Sequence, residues 1–109
     1  MPTNYKVLGQ SNPAATTLTT LYTVPAATET VVSSIVIANL AASAATFRIA
    51  IRPNGAAIAN SQYIAYDITV GASDSTVLTL GLTLDATDVL SVYASTTTVT
   101  FSAYGSEIS

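Results

Sequence analysis

The chain has 109 residues, half of them apolar and 8% charged, with a formal net charge of −3. A length of this order supports one hydrophobic core. There is no His, Cys or Trp, which excludes imidazole proton transfer, thiol chemistry and a disulfide scaffold, and removes the strongest metal ligands. The three cations, Lys6, Arg48 and Arg52, are too few to neutralise a run of phosphates, so no nucleic-acid partner is expected. Ala, Thr and Ser supply roughly two fifths of the chain, a composition that orders readily but carries little reactive chemistry.

The opening Met1-Pro2-Thr3-Asn4-Tyr5-Lys6 has no basic stretch followed by an apolar one, so no signal peptide is indicated. The uncharged, apolar-rich run between Glu29 and Arg48 has the length of a short membrane span. It holds Thr30, Ser33, Ser34, Asn39, Ser43 and Thr46, with a turn signal at Asn39-Leu40-Ala41-Ala42-Ser43, and so does not read as a lipid-facing helix. No membrane partner is expected.

In chain order, a short arm of about residues 1–4 leads to an expected strand from Tyr5 to Leu8. The turn formers Ser11-Asn12-Pro13-Ala14-Ala15 precede a second, Thr17 to Val24, which Pro25 ends. The third, Thr30 to Ala38, is apolar on both faces: Val32, Val36, Ala38 and Leu40 alternate with Val31, Ile35 and Ile37. That pattern predicts a central strand, or one whose outer face another copy covers. Ile35 and Ile37 are therefore candidate contact residues.

The fourth strand, Thr46 to Arg52, alternates cleanly. Phe47, Ile49 and Ile51 face one way and Thr46, Arg48, Ala50 and Arg52 the other, before Pro53-Asn54-Gly55 stops it. Gln62 to Val70 follows. Thr76 to Leu84 places Leu78, Leu80, Leu82 and Leu84 opposite Val77, Thr79, Gly81 and Thr83, so its period overrides the helical preference of leucine. Asp88 to Ser95 and Val99 to Tyr104 complete about eight strands, with no helical periodicity between them. The expected architecture is all-β: residues 1–109 as a single-domain antiparallel β-sandwich, jelly-roll or immunoglobulin-like, between which periodicity does not choose.

Candidate chemistry is sparse. The many Ser and Thr hydroxyls have no neighbouring base. No motif sets a serine beside Lys6, which reads instead as a solvated lysine blunting an edge strand. Asp85 and Asp88, with Asp74 and Glu29, lack the Asp-x-Asp-x-Asp-Gly spacing of a calcium loop and read as turn caps. No catalytic, cofactor or metal residue is assigned, and the chain is read as a non-enzyme. Arg48 and Arg52 share a face, and Tyr63, Ala65 and Asp67 form the matching face of the next strand. A hairpin through Pro53 to Ser61 would set Asp67 beside an arginine as a cross-strand ion pair. Arg48, Arg52, Tyr63 and Asp67 are also candidate protein-contact residues, since Arg and Tyr are enriched at interface hot spots.

Several stretches together resemble one family. They are Leu21-Tyr22-Thr23-Val24-Pro25-Ala26, Val31-Val32-Ser33-Ser34-Ile35-Val36-Ile37-Ala38-Asn39 and Ala45-Thr46-Phe47-Arg48-Ile49-Ala50-Ile51 in the first half. In the second half they are Tyr63-Ile64-Ala65-Tyr66-Asp67, Leu82 through Ser95, and Phe101-Ser102-Ala103-Tyr104-Gly105-Ser106-Glu107. Over nearly its whole length the chain resembles small virion structural proteins of tailed bacteriophages, including those of cyanobacterial phages. The resemblance implies a particle component, foremost a capsid cement or decoration protein. Its partners would be the major capsid protein or other virion proteins, and its location the virion, assembled in the host cytoplasm. A homotrimer is the expected assembly. The family usually has Gly where Ala86 or Thr87 stands here, which leaves the type of that turn open. Rival readings are a tail, neck or baseplate component, and a glycan- or receptor-binding module using Tyr63 or Tyr66.

Overall fold

The computed structural model describes residues 3–109 and contains eight strands. They are β1 (Thr3–Ser11), β2 (Thr19–Thr23), β3 (Glu29–Asn39), β4 (Ala45–Arg52), β5 (Tyr63–Val70), β6 (Ser75–Leu84), β7 (Val89–Ala94) and β8 (Val99–Ile108). Every expected strand has its counterpart. The expected arm shortens, because Thr3 and Asn4 already pair with Ile108 and Glu107; Met1 and Pro2 lie outside the described residues. No helix among these residues is long and apolar enough to cross a membrane.

The strands form two four-stranded antiparallel sheets, ordered β1-β8-β3-β6 and β2-β7-β4-β5. The pairs β1·β8, β2·β7, β3·β6 and β4·β5 are the rungs of one long hairpin, the first four strands laid against the last four. The additional pairs β3·β8 and β4·β7 roll that hairpin into two sheets. This is jelly-roll order, and it settles the alternative that periodicity left open, since an immunoglobulin sandwich divides its strands differently.

Between the sheets, the rings of Phe47 on β4 and Phe101 on β8 meet edge to face, 6.2 Å apart at 74°. Around them Ile35, Ile37, Ile49, Leu90, Val92 and Val99 are fully buried, each worth about 1.5–3 kcal/mol of apolar burial. Ile35 and Ile37 thus belong to the core. Their side chains face the opposing sheet, which corrects the expectation that they contact a partner.

The physical reason lies in β3. Its register slips between Val32 and Ser34 against both neighbours, so the alternation of the strand changes phase there. Val32 joins Ile35 and Ile37 inside, while Val31 shares the outer face with Val36 and Ala38. Gly105 makes the irregularity sterically feasible, because a β-carbon at that position would stand 2.0 Å from the Val31 carbonyl oxygen. The side chain of Leu80 is outside the described set; Leu78, Leu82 and Leu84 face inward as the period of two requires.

At one end of the sandwich the buried Asn39 ties three loops together. Its Nδ2 donates to the carbonyls of Ser43 (2.8 Å) and Gly71 (3.2 Å), and its Oδ1 accepts from the Ala41 amide and the Thr98 hydroxyl, both at 3.1 Å. Replacement by Ala removes all of these part-buried bonds at once. Asn39→Ala is expected to lower stability by about 3 kcal/mol, read as a fall in the urea midpoint with an unchanged slope.

Candidate protein interface

The outer face of sheet β2-β7-β4-β5 carries a built cluster centred on Arg48. Between the pairs Phe47–Ile68 and Ile49–Ala65, β4 contributes the single residue Arg48 while β5 contributes Tyr66 and Asp67. This is a bulge, and Asp67 takes the left-handed φ of 52° that such a bend demands. Two neighbours on β5 are thereby brought to one guanidinium.

Arg48 Nε donates to Asp67 Oδ1 at 2.6 Å and Nη2 to Oδ2 at 3.3 Å, a forked pair. The same guanidinium lies 4.1 Å from the ring centre of Tyr66 and 4.3 Å from that of Tyr93, within cation–π range. Tyr63 meets Tyr66 edge-on at 4.9 Å. The hydrogen bond from Arg48 holds the Asp67 carboxyl below its ordinary value, against a smaller opposing effect of desolvation.

The anticipated Arg48–Asp67 ion pair is therefore present. Ala65 departs from the expected face: the bulge turns it inward, where it is buried opposite Ile49. Arg52 also lies apart from the cluster. Its Nε donates to the Ala56 carbonyl at 2.7 Å and its Nη2 to that of Gly55 at 3.1 Å, so it closes the turn that Pro53 begins. Tyr63 and Tyr66, with Asn60, line an open cleft of about 480 Å³. The sequence reading missed Tyr93, whose placement depends on the β4·β7 register that sets it across from Arg48.

The other outer face, on sheet β1-β8-β3-β6, has the opposite character. Register places Tyr5, Val7, Ser102, Tyr104, Val31, Val36, Val77 and Thr83 on it. Tyr5, Val7, Tyr104 and Val77 are exposed. Among the described residues its one charged side chain is Glu29, at the end of β3. Lys6 and Glu107 of the same sheet point to the inner side, where they pair at 3.3 Å. There the Tyr22 hydroxyl of β2 donates to Glu107 and in turn accepts from Thr30 at 2.8 Å. Burial, reinforced by the Glu107 carboxylate, pushes the Tyr22 phenol up to about 12. Lys6 is thus an edge-strand lysine, as expected, but a paired one.

The acidic residues weighed for chemistry act on backbone amides. Asp88 accepts from the amides of Asn54 and Asp85, Asp85 from that of Ala86, and Asp74 from that of Ser75. In the turn where the resembled family has Gly, Thr87 sits at a φ of 68°, the region that favours glycine. A bond from its amide to the Val24 carbonyl at 3.0 Å and one from its hydroxyl to Asn54 hold it there.

No family model matches this chain, and no curated protein matches it. Among solved structures, a chain in the structure of infectious bursal disease virus Gt strain aligns with it at 11% identity and a TM-score of 0.49. That alignment covers 96% of this chain and 31% of the other, so the present chain spans about a third of its length. A functional reading therefore rests on the residues of this chain.

The Arg48–Asp67 pair gives a pH signature. Because the folded carboxyl titrates below the unfolded one, its contribution to stability is complete above the ordinary carboxylate range and is lost as pH falls through the depressed value. Carbon-detected NMR titration should place the Asp67 midpoint below 3.8 and return it towards that value in Arg48→Ala.

Proposed function

We propose that this chain is a virion structural protein of a tailed bacteriophage, a capsid cement or decoration protein that packs against the major capsid protein or a neighbouring virion protein. The observation that carries the reading is the outer face of β1-β8-β3-β6, which offers Val, Tyr, Ser and Thr side chains with a single charge at its end. A broad uncharged surface is suited to covering protein, since few charges lose their hydration when it docks. The sequence resemblance to phage virion proteins supports the setting, and the lack of His and Cys supports a role without catalysis. Self-association belongs to this reading. The expected homotrimer enters only in that sense, because no feature of the fold selects three copies.

A second reading is favoured by one observation: the right-angled Tyr63–Tyr66 pair and its cleft with Asn60. Aromatic rings beside an amide can stack on and hydrogen-bond a sugar, which would make this a glycan-binding module. Saturable binding to host surface polysaccharide that Tyr63→Ala abolishes would favour it over the first.

Cryo-electron microscopy of the intact particle tests the primary reading. Density for this jelly roll should repeat on the capsid lattice, with the outer face of β1-β8-β3-β6 against the shell. Occupancy confined to the tail, neck or baseplate would reassign it there, and absence from the particle would overturn the reading. Tyr104→Glu, at the middle of that face, should weaken docking by about 2 kcal/mol, the scale of a tyrosine hot spot, measured as release from purified capsids.

A further inference from the structure

Sheet edges offer unpaired main-chain groups to other strands, and natural sheets blunt them with charge, proline, bulges or shortness. The four edges of this sandwich are β1, β6, β2 and β5. β1 carries Lys6; β2 has five residues and a register slip; β5 contains the Asp67 bulge. β6 also has a register slip, but it is the longest of the four. Its ten residues, Ser75–Leu84, include neither a charge nor a proline. The register slip against β3 falls beyond Thr79, leaving Ser75 to Thr79 regular.

The flank beside β6 is also incompletely covered. Leu78 and Leu82 pack against the core but are only partly buried. Ile68 of β5, which pairs with the fully buried Phe47, remains 43% exposed. The opposite flank is closed: Gly9 of β1 approaches β2 so nearly that a β-carbon there would lie 2.2 Å from the Leu21 carbonyl oxygen. Leu78, Leu82 and Ile68 thus leave apolar side chains partly open on the flank of the longest edge strand, which carries no charge.

We propose that β6 pairs antiparallel with β6 of a second copy across a two-fold axis, making one continuous sheet from the two β1-β8-β3-β6 sheets and covering this flank. The proposal deepens the self-association in the reading above and draws only its biological setting from it. Charge selects the occupant. The chain is net negative, and Asp74 and Asp85 bracket β6, but along the strand neither copy has a charge to desolvate. A partner strand bearing charges would lose their hydration against Val77 and Leu78 with nothing to pair them. A second β6 brings apolar and hydroxyl side chains together, and an isologous contact uses the same patch on both copies and closes at two.

Light scattering and sedimentation velocity on the purified chain test this pairing. The expected mass is twice the 11.1 kDa of one copy. Val77→Lys and Val77→Glu, at a position 58% exposed, should each weaken association roughly ten-fold or more by setting like charges side by side on the outer face of the paired β6 strands. An equimolar mixture of the two variants should regain the two-copy mass. Val7→Lys, the same charge on the β1 edge, should leave the mass unchanged, and circular dichroism checks that each variant keeps its β-sheet signal. A single-copy or three-copy mass for the natural sequence, a Val77→Lys mass that does not fall, or no recovery in the mixture would overturn the pairing. These measurements use isolated protein, so absence from the particle would sink the virion reading and leave this one intact, whereas a single-copy mass would overturn the pairing and the self-association while leaving the capsid-docking role standing.

Discussion

Each strand residue points to one face of its sheet, so a slip of one position carries every later side chain to the opposite face. In β3 that slip falls between Val32 and Ser34, and much of the molecule follows from it. It turns Val32, Ile35 and Ile37 into one buried row that meets Phe47 and Phe101. It also leaves Val31, Val36 and Ala38 as the middle of the uncharged outer face. Gly105 is the complement on β8, where only a residue without a β-carbon fits against the irregular strand. In β5 a second irregularity works in reverse, turning a small residue, Ala65, inward and gathering two polar side chains around Arg48.

Most strands were legible because a half-buried segment repeats with a period of two and stops at or near Pro, Gly, Asn or Asp. Thr46 to Arg52 shows this most plainly: Phe47 and Ile49 are in the core, while Arg48 and Arg52 lie on the outer side. The Arg48–Asp67 pair was legible too, as a hairpin placed these residues near each other. The changes of phase were not. Ser33-Ser34 looks like any polar pair, and nothing local in Tyr66-Asp67 marks a bulge, so Ile35 and Ile37 were expected at a surface and Ala65 on the wrong face. Nor does local pattern record that Tyr22, Glu107 and Thr30 converge, because two of those contacts join strands that a topology alone brings together.

Charge is divided unevenly between the two outer faces. On β2-β7-β4-β5 the guanidinium of Arg48 is already engaged by a carboxylate and two aromatic rings, and that of Arg52 by two carbonyls. Both cations have satisfied partners within the chain, which lessens what either gains from an external one. The face on β1-β8-β3-β6 has almost no charge to satisfy. Two surfaces of similar strand count therefore differ in what their dehydration costs, and the cheaper one is the flatter field of valine, tyrosine and hydroxyl side chains.

The position of β8 has a consequence for how the molecule is made. It is the eighth strand among the described residues, yet it lies inside its sheet, between β1 and β3, and its pairing joins Thr3 to Ile108. During synthesis β1 has no neighbour until β8 follows the six strands between them, and β3 keeps one side open until the same moment. Contacts so distant in sequence make for slow folding. The nascent chain thus passes through a stage in which the rim of a half-built sheet is bare, and it depends on the arrival of Val99–Ile108 to be sealed.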